Sequence, residues 1–496
     1  MMTPALKGAT TEPSVDWTIM LYIAADDVLA NFAVQSLKQL NESASAPDGQ
    51  QDKANVVVAA QFALPAGATG PRPAKTPGVG SGDFYIFKKG KALPVPGLTR
   101  KLVPAPETVK TPRTAKTPEK VNMSQQQKAL IAFMQRVYSE CEPSRYYALI
   151  LWGHGPELLL QPAAGSLTGS SDSMYITPEE LRGALEGLRP PNGHSLDIIG
   201  FDACYMSMFE MAYELQGLAR YMVASQEEVP DASFPYDKLV ELFREGGKLG
   251  NGGKLDSLLK RGVEAYVSAY QDCICNENTG MKSVTLSALD LNPSNSTELK
   301  KAVRALADTL VKAKDKESLA NPLIEARTHS KDYASGLYVD LYDFCEKLDD
   351  LIKITEIKSA CQDVLKAFET SNFILKHSGD KRSHGISIYL PYLTPIQYAE
   401  VSKPLVKGGD RTHGGKGFGE AINGAATEYL MCARRSLILD TEKDYGGLKL
   451  AEDTHWYSFI TDVWTSALIK KEPADLDFHY SAQQSWMNVC RRSIRR

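Results

Sequence analysis

Two apolar runs constrain this chain more than any other feature, because each ends abruptly in small or polar residues. The first is Tyr146-Tyr147-Ala148-Leu149-Ile150-Leu151-Trp152-Gly153-His154-Gly155. The second is Leu196-Asp197-Ile198-Ile199-Gly200-Phe201-Asp202-Ala203-Cys204-Tyr205-Met206. Continuous apolar runs of this length bounded by turn residues read as strands buried on both faces. In an open parallel sheet, ligands bind outside the carboxyl ends of the strands. One run delivers a histidine to that position and the other a cysteine. If the two strands are neighbours, a thiol meets an imidazole, the minimum equipment of a cysteine nucleophile.

The surrounding pattern supports such a sheet. Trp17 to Ile23, Asn55 to Phe62 and Tyr221 to Ser225 read as further strands. Helical spacing falls between them, at about Val28 to Leu40, Met123 to Cys141, and from Thr177-Pro178 onward, with threonine as cap and proline at the first helical position. The run after Cys204 predicts a helix over about Tyr205 to Leu215. Strands alternating with helices predict an α/β fold with a mostly parallel sheet covered on both faces. Beyond Pro235 the chain turns mostly helical, over Tyr236 to Arg244, Leu255 to Tyr270 and Ser296 to Lys312. A late run, Gly385 to Pro391, is expected to complete the sheet. The division expected is a flexible tail over 1–15, a domain over 16–391, and a mixed, mostly helical accessory region over 392–496.

Composition narrows the function. The chain has 496 residues, is 43% hydrophobic and carries a net charge of −4, which gives no overall pull toward nucleic acid. No run reaches the roughly 18 apolar residues of a membrane span, and the first fifteen residues have no signal core. The eight cysteines are scattered, without paired metal-ligand spacing, so no metal site is expected. A cytoplasmic protein is the expectation. One segment stands apart, a Pro/Gly-rich insertion at about 63–122 with three copies of Lys-Thr-Pro. It holds eleven Lys and Arg against three acids, a net +8 that leaves −12 for the rest of the chain. Its composition predicts a solvated loop, with a short strand near Asp83 to Phe87. The charge split also lets an acidic body hold a basic arm.

The chemistry follows from the residue types. A cysteine attacks as its thiolate, and a helix N-terminus after Cys204 would favour that form. His154 can act as base for Cys204 or as acid toward the leaving amine. Gly155 leaves its backbone N–H open to close approach, and together with the N–H of Cys204 it can bind an oxyanion. Side chains two apart on a strand share a face, so Asp202 is expected beside Cys204. A carboxylate there raises a thiol pKa, and it makes better sense if it meets a substrate cation. Asp231, after the next strand, is a second candidate for the same pocket. Each residue also has a plainer reading: Cys204 as a packed core thiol, His154 as structural, Asp202 as a cap for the next helix. Among the other histidines only His384, before the late strand, is a rival base.

At these residues the chain resembles the clostripain-like cysteine peptidases, relatives of caspases, gingipains and legumains. The likeness is carried by Trp17 to Asp26, Leu149 to Gly155, Asp197 to Met206, Ala212-Tyr213-Glu214-Leu215, Val223 to Glu228 and Gly385 to Pro391, in that order. It implies a caspase-like three-layer α/β/α sandwich, a His154/Cys204 dyad, and cleavage of proteins or peptides after arginine or lysine. It implies an acidic pocket with Asp202 from the Asp-x-Cys motif, and Asp231 by approximate spacing. Members of that family are often latent precursors that cut themselves between the histidine and the cysteine. Here Gly155 to Glu180 contains no Lys or Arg. The basic insertion offers better sites, Lys75, Lys110, Arg113 and Lys116, each followed directly by threonine. An upstream protease is the other expected activator. Some relatives need calcium, although no dedicated calcium loop is visible. The alternative is a non-catalytic scaffold of the same fold that binds basic peptides in its acidic cleft.

Overall fold

The computed structural model describes residues 13, 15–24, 29–45, 54–63, 84–88, 91–94, 123–153, 155, 176–230, 232–246, 253–271, 283–333, 337–391, 447–464 and 466–467. The parallel strands are those with the longest apolar runs: β1 (Val15–Ala24), β2 (Val56–Ala63), β5 (Ser144–Trp152), β6 (Leu196–Asp202) and β7 (Ala219–Ala224). They lie in the order β7-β6-β5-β1-β2, all parallel. Antiparallel strands extend both edges. The hairpin β3 (Phe84–Lys88) and β4 (Lys91–Pro94) adds to β2, while β8 (Leu286–Asp290) and β11 (Ile374–Ser378) add to β7. The result is one mixed, mostly parallel sheet of nine strands. The basic insertion starts at the end of β2 and contributes its own hairpin, longer than the single short strand expected there.

Helices cover both faces, and the strands divide their side chains between two cores. On β1, Trp17, Ile19, Leu21 and Ile23 join one core, while Met20 joins the other. On β5, Ala148, Ile150 and Trp152 face the first of these and Leu149 and Leu151 the second. This is the period of two expected of strands buried on both sides. The core beneath Trp17 and Trp152 also takes residues of α1 (Ala30–Ser45), α5 (Tyr236–Gly246) and α6 (Gly253–Ala269). The opposite core takes α2 (Gln125–Glu140), α3 (Pro178–Gly187), α4 (Phe209–Glu214), α7 (Pro293–Lys312), α8 (Ala320–His329), α9 (Leu341–Leu351) and α10 (Thr355–Thr370). It also takes Leu450 of α11 (Lys449–Thr454), and Trp456 and Phe459 of α12 (Trp456–Phe459). The start of α3 is as expected: Thr177 accepts from the backbone of Glu180, the Glu180 side chain accepts from the backbone of Thr177, and Pro178 opens the helix.

Two expectations are corrected. The late strand does not complete the main sheet. β12 (Ser387–Tyr389) pairs with β10 (Tyr338–Asp340), which pairs with β9 (Asp332–Tyr333), in a separate antiparallel sheet of three. Buried Arg327 braces that sheet by donating to the carbonyls of Leu390 (2.8 Å) and Tyr338 (3.2 Å). The helix after Cys204 also begins later than expected, at Phe209. The chain between is pinned in an irregular course: Tyr205 N–H donates to Glu227 O (3.0 Å), and Ser207 N–H to Ser225 O (2.8 Å). Ser387 N–H donates to Ser207 O (2.9 Å), and the Ser207 hydroxyl to Gly385 O (2.6 Å). Those bonds compete with the helical i to i−4 pattern and win because they tie the turn to both sheets.

Candidate active site

β5 and β6 are direct neighbours, in a register that pairs Trp152 with Asp202 at their carboxyl ends. The ladder runs one step further, with Gly153 N–H donating to Asp202 O (3.2 Å). In sequence, His154 comes two residues after Trp152 and Cys204 two after Asp202. Gly155 lies directly on the turn that carries Cys204. A Cβ added there would fall 1.6 Å from the Cys204 carbonyl oxygen, so only glycine fits. His154, Asp231, Lys75, Lys110, Arg113 and Lys116 lie outside the described residues.

Cys204 is half-buried and packs against the α7-side core. Its sulfur receives the backbone N–H of Val229 at 3.3 Å. The thiol in turn donates to the Val229 carbonyl oxygen at 3.9 Å. The helix N-terminus expected directly after Cys204 is not found there, since α4 starts at Phe209 and is only six residues long. The next residue, Tyr205, adopts a left-handed φ of 61°. This conformation is costly for a non-glycine residue, and two bonds hold it: the N–H on Glu227 O, and the hydroxyl on Glu228 Oε1 (2.7 Å). Glu227 is itself held by Lys331, which also pairs with Asp380 at 3.3 Å.

Asp202 is buried on the α5/α6 side of the sheet, 3% exposed. The alternation that suggested a shared face with Cys204 ends at Asp202, because the chain turns at Ala203 and Cys204. Asp202 does not cap α4. Its Oδ2 accepts from the Ser233 hydroxyl, from Phe234 N–H (3.1 Å) and from the Tyr236 hydroxyl (2.7 Å). Trp152, its strand partner, donates to Ser233 Oγ (2.5 Å). Oδ1 is buried and has no hydrogen-bond partner among the described residues. Burial raises the carboxyl pKa to about 6, against the three donors, which lower it. Sequence reasoning missed Ser233, Tyr236 and the aromatic residues beyond them. Their one visible signal is the i, i+4 pair of Tyr266, on α6, and Tyr270, just past its end, a spacing shared by ordinary core residues.

His384, the rival base, is bound elsewhere. Its Nδ1 lies 2.9 Å from Oδ1 of fully buried Asp340, and its ring stacks on Tyr342 at 4.3 Å. Asp340 also accepts from Gln226 (3.0 Å) and caps α9 through Asp343 N–H (2.9 Å). This network joins the end of β7 to the small sheet. Among the described residues no group of three or more His, Cys, Asp or Glu could hold a metal ion. Nor is any helix among them long and apolar enough to cross a membrane.

The chain is similar to known proteins in sequence and in fold. Clostripain of Hathewaya histolytica is 28% identical over 233 residues, which span 40% of this chain and 43% of that protein, less than half of the relative's length. The structure of an inactive zymogen C11 protease from Parabacteroides distasonis matches with a TM-score of 0.50 at 17% identity, covering 77% of this chain and 94% of that one. A secreted C11 cysteine protease from Bacteroides thetaiotaomicron, solved with an irreversible peptide inhibitor, is 16% identical, with a TM-score of 0.48 over 85% and 99% of the two chains. The model of the clostripain family, peptidase C11, matches residues 21–460. The chain belongs to the clostripain family of cysteine peptidases.

Proposed function

We propose that this peptidase cleaves proteins or peptides after arginine or lysine through Cys204 and His154. The observation that carries the proposal is the register of β5 and β6, with Gly155 seated on the Cys204 backbone. In the proposed reaction the Cys204 thiolate attacks the scissile carbonyl carbon, and the carbonyl π electrons move onto oxygen. The N–H groups of Gly155 and Cys204 receive that oxyanion. As the C–N bond breaks, His154 protonates the leaving amine. Water, deprotonated by the same imidazole, then hydrolyses the thioester and frees the thiol. Asp202 supplies the negative charge for the substrate cation, with Asp231 as a second acid. No step is routed through a metal.

Latency is part of the same proposal. The +8 insertion and the −12 remainder attract each other, and Lys75, Lys110, Arg113 and Lys116 fit the proposed specificity. The P. distasonis relative is a zymogen, which supports a precursor here, opened by self-cleavage or by an upstream protease. The scattered cysteines of the sequence, without a dense disulfide framework, support a reducing, cytoplasmic setting. Fluorogenic peptides with Arg, Lys or Asp before the scissile bond test the proposal, on the full chain with and without limited trypsin treatment. Turnover of Arg and Lys peptides, at least a thousandfold reduced in Cys204→Ala, is expected. Turnover of the Asp peptide alone, or basic-peptide turnover that survives Cys204→Ala, contradicts it.

A further inference from the structure

Two buried polar atoms on the α5/α6 side of the sheet have no hydrogen-bond partner among the described residues: Asp202 Oδ1 and the Tyr266 hydroxyl. Unpaired buried polar atoms are uncommon in folded proteins, and each calls for an explanation. The two belong to one aromatic enclosure. The Tyr266 ring packs edge-on against Phe234, centroids 5.3 Å apart, and Phe234 N–H is bonded to Asp202. On its other side it meets Tyr270 at 5.2 Å. The Tyr270 hydroxyl donates to the carbonyl of Ser233, whose own hydroxyl bonds Asp202. Burial, then the charges of Tyr270, Asp202 and Cys204, push the Tyr266 hydroxyl well above its usual pKa, so it stays neutral.

We propose that Tyr266 is a specificity-determining residue, whose hydroxyl oxygen and Asp202 Oδ1 together receive the guanidinium of an arginine preceding the scissile bond. The inference rests on the proposed cleavage after basic residues and goes on to rank arginine above lysine. A guanidinium is a planar fork of five N–H donors and spans two separated acceptors. A lysine ammonium is a compact point charge on a shorter reach, and it satisfies Asp202 while leaving Tyr266 unpaired. A site built to hydrogen-bond a group discriminates strongly against ligands that leave its polar atoms unpaired.

Tyr266→Phe tests this, since it removes one oxygen and keeps the ring between Phe234 and Tyr270. kcat/KM is measured on matched Arg and Lys peptides with the full chain, before and after limited proteolysis, alongside Asp202→Asn. The expected result is a roughly ten- to hundredfold fall for the Arg peptide, the range for a lost hydrogen bond to a charged group, with less than about a threefold change for Lys. An unchanged Arg-to-Lys ratio overturns the role of Tyr266. The basic specificity itself then still stands if Asp202→Asn abolishes turnover of both peptides. Absence of wild-type turnover on both peptides in every state overturns the underlying specificity, and this inference with it.

Discussion

Asp202 shows how one side chain divides its work. Its Oδ2 is fully occupied by Ser233, Phe234 and Tyr236 and so fixes the segment after β7. Its Oδ1 is left to a substrate cation under the proposal above. Burial holds the folded-state pKa at about 6, above its usual 3.8. For this group alone, stability is fully present below about pH 4 and is lost as pH rises through about 6, since ionisation in the fold is disfavoured. Binding of a cation has the opposite slope, because it needs the carboxylate. An arginine-ended peptide should therefore bind full-length Cys204→Ala more weakly as pH falls through about 6. Adding Asp202→Asn should weaken binding at pH 7.5 by at least about thirtyfold and flatten the profile, as read by fluorescence polarisation. Equal binding by the two proteins would remove Asp202 from recognition. The carboxylate was legible in sequence from its place at the end of an apolar strand. Its partners were not, because they arrive from more than thirty residues downstream, through a turn that includes Ser233 at a φ of 68°.

Among the elements, the strands were the most legible, because burial on both faces writes long apolar runs into β1, β5 and β6. The segment from Tyr205 to Met208 was misread as helix for a physical reason. Its apolar residues suit a helix, but its backbone bonds go to Ser225, Glu227 and Ser387 instead. Likewise Gly385 to Pro391 looks like any buried strand, and nothing local tells it to pair with Tyr338–Asp340. Ser207 is the joint between these elements, fully buried and bonded to Gly385 O. Ser207→Ala leaves that carbonyl without its donor, and a loss of about 1–2 kcal/mol in urea unfolding is expected. Because the same joint carries Cys204, kcat should fall more than KM rises. Wild-type stability together with wild-type kcat would show that the joint does not position the nucleophile.

At the scale of the whole molecule, the described C-terminal segment is built into the same core as the sheet. Trp456 donates to Tyr389 O (2.8 Å) and Trp464 to Pro391 O (2.6 Å), and both indoles are buried among residues of the sheet and of α7. The sequence divided this region from the domain at residue 391 because a glycine-rich stretch intervenes, and composition carries no information about what packs beyond it. The central claim also spans the molecule: strand ends from two βα units, and an acid backed by α5 and α6, converge on one thiol. A peptide acyloxymethyl ketone ending in arginine tests that convergence directly, with the adduct located by peptide mapping after incubation with the activated full chain. The predicted result is a single adduct on Cys204, lost in His154→Ala and in Asp202→Asn and absent with an aspartate-ended probe. Labelling of a different cysteine, or of Cys204 at the same rate by the arginine and aspartate probes, would contradict it.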